Sequence, residues 1–241
     1  MNMIQDILYQ ISVFGDVASI KPDIETVQSM IKRFSHYGLI PSIFQEGNLT
    51  LSHDLGLQQA ETINRLQMLS LEKGINVMFA SNRIDISKAS VDTSTSVNQY
   101  DLNELLGIMN IATSGLASTR IAFNTTSLLD NPSVSLYQRI QPGLDIYDNP
   151  DELMFRVNKR KDIAISDVLS EKSNVILTIQ KTMGQLLINN QPMSVDNGLI
   201  IQFDINTPPE VAEPRFFSEQ TRMYIEAAAL VKQRLLSDLI S

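Results

Sequence analysis

Between Ile63 and Ser87 three short runs rich in Ile, Leu, Val and Phe (Ile63–Leu71, Ile75–Ala80 and Arg83–Ser87) are separated by Lys73-Gly74 and Ser81-Asn82. Gly and Asn accept the positive φ of tight turns, so the stretch reads as an antiparallel meander. A meander must bury one face against another layer, which puts the chain in the sheet-plus-helix architectures.

The flanking segments supply that layer. Ile7, Tyr9, Ile11 and Val13 fall at every second position and predict a strand from about Ile4 to Phe14. Pro22, Asp23 and Glu25 suit a first helical turn, and Ile24, Val27, Met30, Ile31 and Phe34 then recur at three and four, with Gly38 as the stop. Leu39–Gln45 reads as a second strand and Glu46–Glu61 as a polar connection. Ser87–Asn98 breaks all periodicity with small hydroxyl residues and is expected to be an exposed loop. Asp101 is the expected cap of a helix carrying Leu102, Leu105, Leu106 and Met109, which ends near Gly115.

Thr119–Thr125 is a further strand, and Ser127–Pro150, with three prolines, a connector holding one short helix. Leu153–Val157, Asn174–Thr182, Leu186–Ile188 and Leu199–Ile205 have strand composition, with turns at Met183-Gly184 and Asn189-Asn190. Pro214 is expected at the first position of a last helix carrying Phe217, Thr221, Tyr224, Ala228, Val231, Leu235 and Leu239. At ~1.5 Å per residue its roughly 25 residues would span about 37 Å.

The expected fold is α+β: mostly antiparallel sheet covered by helices, with a long C-terminal helix. Ile63–Met109 and Val175–Leu235 repeat one order of strands, polar link and helix, and Arg83-Ile-Asp-Ile-Ser corresponds to Gln202-Phe-Asp-Ile-Asn. This predicts two similar halves, residues 1–117 and 118–241, or one compact unit reusing sheet-and-helix packing. A chain of 241 residues can bury about 70% of its unfolded surface, so its core needs no staples.

Composition removes whole classes of chemistry. With no Cys there is no disulfide, thiolate metal site, Fe–S cluster or cysteine nucleophile. A net charge of −8 argues against broad nucleic-acid or anionic-membrane binding. Met1–Ile20 carries Asp6 and Asp16 and no basic residue, unlike a signal peptide, and no run approaches 18 apolar residues. The expected location is cytoplasmic, with no membrane association.

No HExxH, phosphate-binding loop, GxSxG elbow or HxH pair is present. The two histidines, His36 near a helix end and His53 in a polar connection, read as surface or capping residues. Asp85 and Asp204 lie inside expected strands, where two converging carboxylates could hold Mg²⁺. The simpler reading puts each on the polar face of an amphipathic strand. Arg156, Lys159, Arg160 and Lys161 form the strongest basic cluster, expected at a strand end. It could meet a phosphate backbone or an acidic partner, or it could be a solvated turn guarding a sheet edge. In the last helix Ile225-Glu-Ala-Ala-Ala-Leu-Val allows close approach of its own sheet or of a second copy.

Arg65-Leu-Gln-Met-Leu-Ser70, Asn82-Arg-Ile-Asp-Ile-Ser87 and Leu199-Ile-Ile-Gln-Phe-Asp-Ile-Asn206 resemble the sporadically distributed, uncharacterised prokaryotic proteins of about 250 residues. That family shares an RLQ-type strand, a following strand with a DRI/NRI-like step and a late strand with an acidic residue before a terminal helix. The resemblance implies no catalytic residues and a mobile accessory or defence-associated role. The expected function is a non-enzymatic protein-interaction subunit or adaptor of a cytoplasmic complex, with no cofactor and with a protein partner or a second copy of itself. The alternatives are a metal-dependent hydrolase or nuclease using Asp85 and Asp204, and a small-ligand sensor.

Overall fold

The computed structural model describes residues 4–48, 51–52, 56–57, 61–91, 95–133, 136, 140, 152–188, 191–211 and 213–241. In chain order these form β1 (Ile4–Phe14), α1 (Ile24–Phe34), a 3₁₀ turn (Ser35–Tyr37), β2 (Ile40–Asn48), β3 (Leu51–Ser52), β4 (Gly56–Leu57), β5 (Glu61–Ser70), β6 (Ile75–Phe79), β7 (Arg83–Ala89) and α2 (Gln99–Ala112). There follow β8 (Arg120–Asp130), β9 (Met154–Ala164), β10 (Ser170–Ile188), β11 (Gln191–Asn206) and α3 (Ser218–Ile240). Nine strands make one antiparallel sheet, ordered β2-β5-β6-β7-β1-β8-β11-β10-β9, while β3 and β4 pair separately. The fold is α+β, mostly antiparallel sheet with helices that include a long one at the C-terminal end of the chain.

The order of a strand, a three-stranded meander and a helix occurs twice, as β1, β5–β7, α2, with α1 and β2–β4 inserted after β1, and as β8–β11, α3. From the central β1·β8 pair, β7-β6-β5 runs outward on one side and β11-β10-β9 on the other. The sheet is therefore continuous across residues 117 and 118.

Directly opposed residues of an antiparallel pair share a face, so the register sorts the side chains. Tyr9, Ile11 and Val13 oppose Thr125, Phe123 and Ile121, and Phe203 and Ile205 continue the same face onto β11. Ile11, Val13, Ile121, Phe123, Phe203 and Ile205 are all buried there. Helix α2 lies against β7 and β1, α3 against β8 and β9, and the two helices touch each other. Buried Leu102, Leu105, Leu106 and Met109 are the inward stripe of α2, and Tyr224, Ala228, Lys232 and Leu236 that of α3.

Local chemistry sets the element ends, in places differently from the sequence pattern. Asn98 caps α2, accepting from the Tyr100 amide at 2.8 Å, while Asp101 reaches back to the Asn98 amide at 2.9 Å. Asp101 is thus the return partner of a capping box and not the cap itself. Helix α3 starts at Ser218, beyond Pro214, because Arg215 and Phe216 first bond to Ser118. Strand β9 runs through the whole basic cluster to Ala164, and the turn follows it, with Ile165 donating to the Leu169 carbonyl at 2.8 Å. Alternating side chains on an edge strand leave charges in solvent without interrupting the ladder. Met183-Gly184 is no turn either: β10 continues to Ile188, and Gly184, at φ 102°, takes up a register shift against β11. The turn expected at Asn189-Asn190 and most of the connector up to Pro150 lie outside the described residues.

Gly74 does close the β5–β6 turn, at φ 66°, and a Cβ there would run into the Ala89 carbonyl. Gly115 has a similar φ of 81° with open space around it. Gly74→Ala should therefore cost about 2–3 kcal/mol and Gly115→Ala about 1 kcal/mol in urea denaturation. Equal losses would show that φ alone, without the carbonyl clash, sets the cost.

Candidate functional site

The face opposite Ile11 and Phe123 is polar across its centre. Asp85 opposes Ser12, Ser12 opposes Ala122, Ala122 opposes Asn206 and Asn206 opposes Asn174, which meets Arg160 on β9. Asp204 lies two residues from Asn206 on the same face, opposite Asn124. Both strand aspartates thus share one surface, but β1 and β8 stand between their strands. Three interstrand spacings alone put them about 14 Å apart, before the two-residue offset along β11 is added, whereas one shared ion needs its carboxylates within about 5 Å. The structure does not bring Asp85 and Asp204 together.

Each has its own partners. Ser12 Oγ donates to Asp85 Oδ1 at 2.6 Å and Arg83 Nε to Oδ2 at 2.7 Å, so the carboxylate is neutralised in place. Asp204 accepts from Asn206 Nδ2 at 2.7 Å; Asn174 Nδ2 then donates to Asn206 Oδ1 at 3.1 Å, and Arg160 Nε to Asn174 Oδ1 at 3.1 Å. Arg160 Nη2 finishes the line on Glu210 at 2.6 Å. Among the described residues no group of three or more His, Asp or Glu side chains could hold a metal ion. At one end of this face the Phe14 ring carries Arg120 at 4.8 Å and Arg83 at 5.9 Å.

The basic cluster lies on β9, which ends the strand order. Arg156 and Arg160 oppose Thr178 and Asn174 on the polar face, while Lys159 and Lys161 oppose Val175 and Ser173 on the other. Arg160 is tied to Asn174 and Glu210; Arg156, Lys159 and Lys161 make no hydrogen bond or ion pair with another described residue. Residues 156–160 are all exposed. The register against β10 is unbroken from Met154 to Ala164, so no bulge interrupts this edge. His36 is exposed and lies against Tyr37, with ring centroids 3.8 Å apart and the rings inclined by 43°, and His53 lies outside the described residues.

One cluster escaped the sequence pattern. Asp6, beside a register shift in β1, accepts from Lys232 Nζ at 2.7 Å to each oxygen, from the Tyr9 hydroxyl at 2.7 Å, and from Ser127 Oγ. Burial pushes the Tyr9 phenol well above its usual value, and the Asp6 charge adds to this. Lys232 also lies 5.6 Å from the Tyr9 ring centroid. A cavity of about 320 Å³ adjoins the group, lined by Val97, Leu102 and Phe123 and also by Asn98, Gln99 and Gln233. With both carboxylate oxygens bonded to Lys232, the cluster acts as a tie between the first strand and last helix. Its signal in the sequence is a lysine at the i+4 repeat of an otherwise apolar stripe, Tyr224, Ala228, Lys232, Leu236.

No helix among the described residues is long and apolar enough to cross a membrane. No protein-family model, curated protein or solved structure matches this chain.

Proposed function

We propose that this protein is a non-enzymatic interaction subunit, an adaptor of a cytoplasmic prokaryotic complex of the defence-associated kind, working through the β9 edge of its sheet. The observation that supports it is β9: eleven residues of edge strand in unbroken register, whose Arg156, Lys159 and Lys161 make no hydrogen bond or ion pair with another described residue. A sheet edge offers a row of backbone donors and acceptors to another chain, and natural proteins shorten, bend or cover such rows when they are not used. Here the charged side chains are the remaining guard.

The test is affinity purification of the tagged protein from its host, in parallel with a Lys159→Glu/Lys161→Glu variant, followed by light scattering. A stoichiometric companion held by the wild type and lost by the equally folded variant is the expected result. A lone copy that turns over nucleotide, and stops doing so on Asp85→Asn or Asp204→Asn, would replace this reading with the hydrolase one.

A further inference from the structure

We propose that β9 accepts an extended acidic peptide as a tenth strand of the sheet, an assignment that rests on the interaction-subunit reading and names the partner's chemistry. Strand β9 carries four basic residues and Asp162 in a chain whose total is −8, and with Arg160 balanced by Glu210 it keeps a net +2. The edge is thus the electrostatic opposite of the rest of the protein, and it attracts what the remainder repels.

The register turns this charge into a pattern. Lys161, Lys159 and Val157 share one face of the strand, and Arg156 lies on the other. A strand added antiparallel, in keeping with every other pairing of the sheet, sets its side chains about 5 Å from those they oppose. Carboxylates at i and i+2 meet Lys161 and Lys159, an apolar residue at i+4 meets Val157, and a carboxylate at i+5 meets Arg156. Arg160, held by Asn174 and Glu210, is left out of the pattern.

A second copy suits this edge less well than an acidic strand does. Antiparallel pairing of β9 with itself about Lys159 sets Lys159 against Lys159, and like charges directly opposed are destabilising, although it also sets Arg156 against Asp162. A nucleic acid would satisfy the charges but could not use the row of backbone amides and carbonyls. A peptide uses both, as in other cases of strand addition.

The experiment is fluorescence anisotropy on the full chain with a labelled decapeptide carrying Glu at i, i+2 and i+5, Val at i+4 and Thr elsewhere. Its controls are a Lys-for-Glu peptide, a peptide N-methylated at alternate residues, and a ten-nucleotide oligothymidylate. The Glu peptide should bind at least tenfold more tightly than the Lys peptide, weaken with salt and fail when N-methylated. Lys159→Glu/Lys161→Glu should reverse the preference, and that reversal is a gain that unfolding cannot mimic. Equal binding of the N-methylated peptide, an unchanged preference in the variant, or tighter binding of the oligonucleotide would overturn the assignment. If no peptide binds while the host companion is still lost by the Lys159→Glu/Lys161→Glu variant, the acidic-strand assignment falls and the interaction reading stands. Absence of both peptide and companion removes the two together.

Discussion

Asp6→Ala is expected to destabilise the fold by about 3–5 kcal/mol, because it leaves the Lys232 ammonium buried without its carboxylate. For a chain of this length each kcal/mol is worth about 2–4 °C, so the melting temperature should fall by roughly 6–20 °C. The loss exceeds the net worth of the ion pair, since the Tyr9 and Ser127 hydroxyls also lose their acceptor. Asp6 and Lys232 are 226 residues apart, so the effect should concentrate where the last helix meets the first strand. Faster amide exchange along the C-terminal half of α3 is the local readout. Asp6→Leu/Lys232→Met replaces the pair with apolar volume and should cost clearly less than Asp6→Ala, as buried ion pairs exchanged for apolar partners commonly do. A loss under 1 kcal/mol for Asp6→Ala would mean that Lys232 reaches solvent and no such tie exists.

That tie also shows how far a sequence can be read. The alternation in β1 and the three- and four-residue spacing in α1, α2 and α3 are local, and local periodicity carries strand and helix identity directly. The Lys73-Gly74 and Ser81-Asn82 turns are local too, and the meander stands where they put it. Pairing is different: nothing in residues 4–14 says that β1 lies between β7 and β8, because strand order is decided by burial summed over the whole sheet. The distance between Asp85 and Asp204 follows from that order alone. Charged residues mislead for a related reason. Lys159, Arg160 and Lys161 look like the end of a strand, yet on an edge they keep the ladder and take their side chains to water. Lys232 looks like surface, and its partner is supplied by a strand from the opposite end of the chain.

Raising the pH above about 10 should unfold this protein steeply, through Tyr9 and Tyr224. Tyr9 is 8% exposed and Tyr224 fully buried, donating to Ser173 Oγ at 3.1 Å. Burial raises both phenols above their ordinary value, and the charge of Asp6 adds at Tyr9. In the unfolded chain each tyrosine releases its proton near pH 10, whereas the folded chain retains it. Above that pH the unfolded state binds fewer protons, so stability is fully present below pH 10 and declines as pH rises. Where the folded chain keeps both protons the slope approaches about 1.4 kcal/mol per pH unit for each tyrosine. Each pH unit then removes a sizeable share of the whole stability of a typical domain. Urea denaturation at pH 8, 10 and 11.5 should show this decline in the wild type and a flatter one in Tyr9→Phe/Tyr224→Phe. The variant begins about 1–3 kcal/mol lower at pH 8, having lost the bonds to Asp6 and Ser173. It keeps every lysine, so the difference between the two slopes belongs to the tyrosines. Parallel slopes would show that both phenols titrate freely and that neither is enclosed as described.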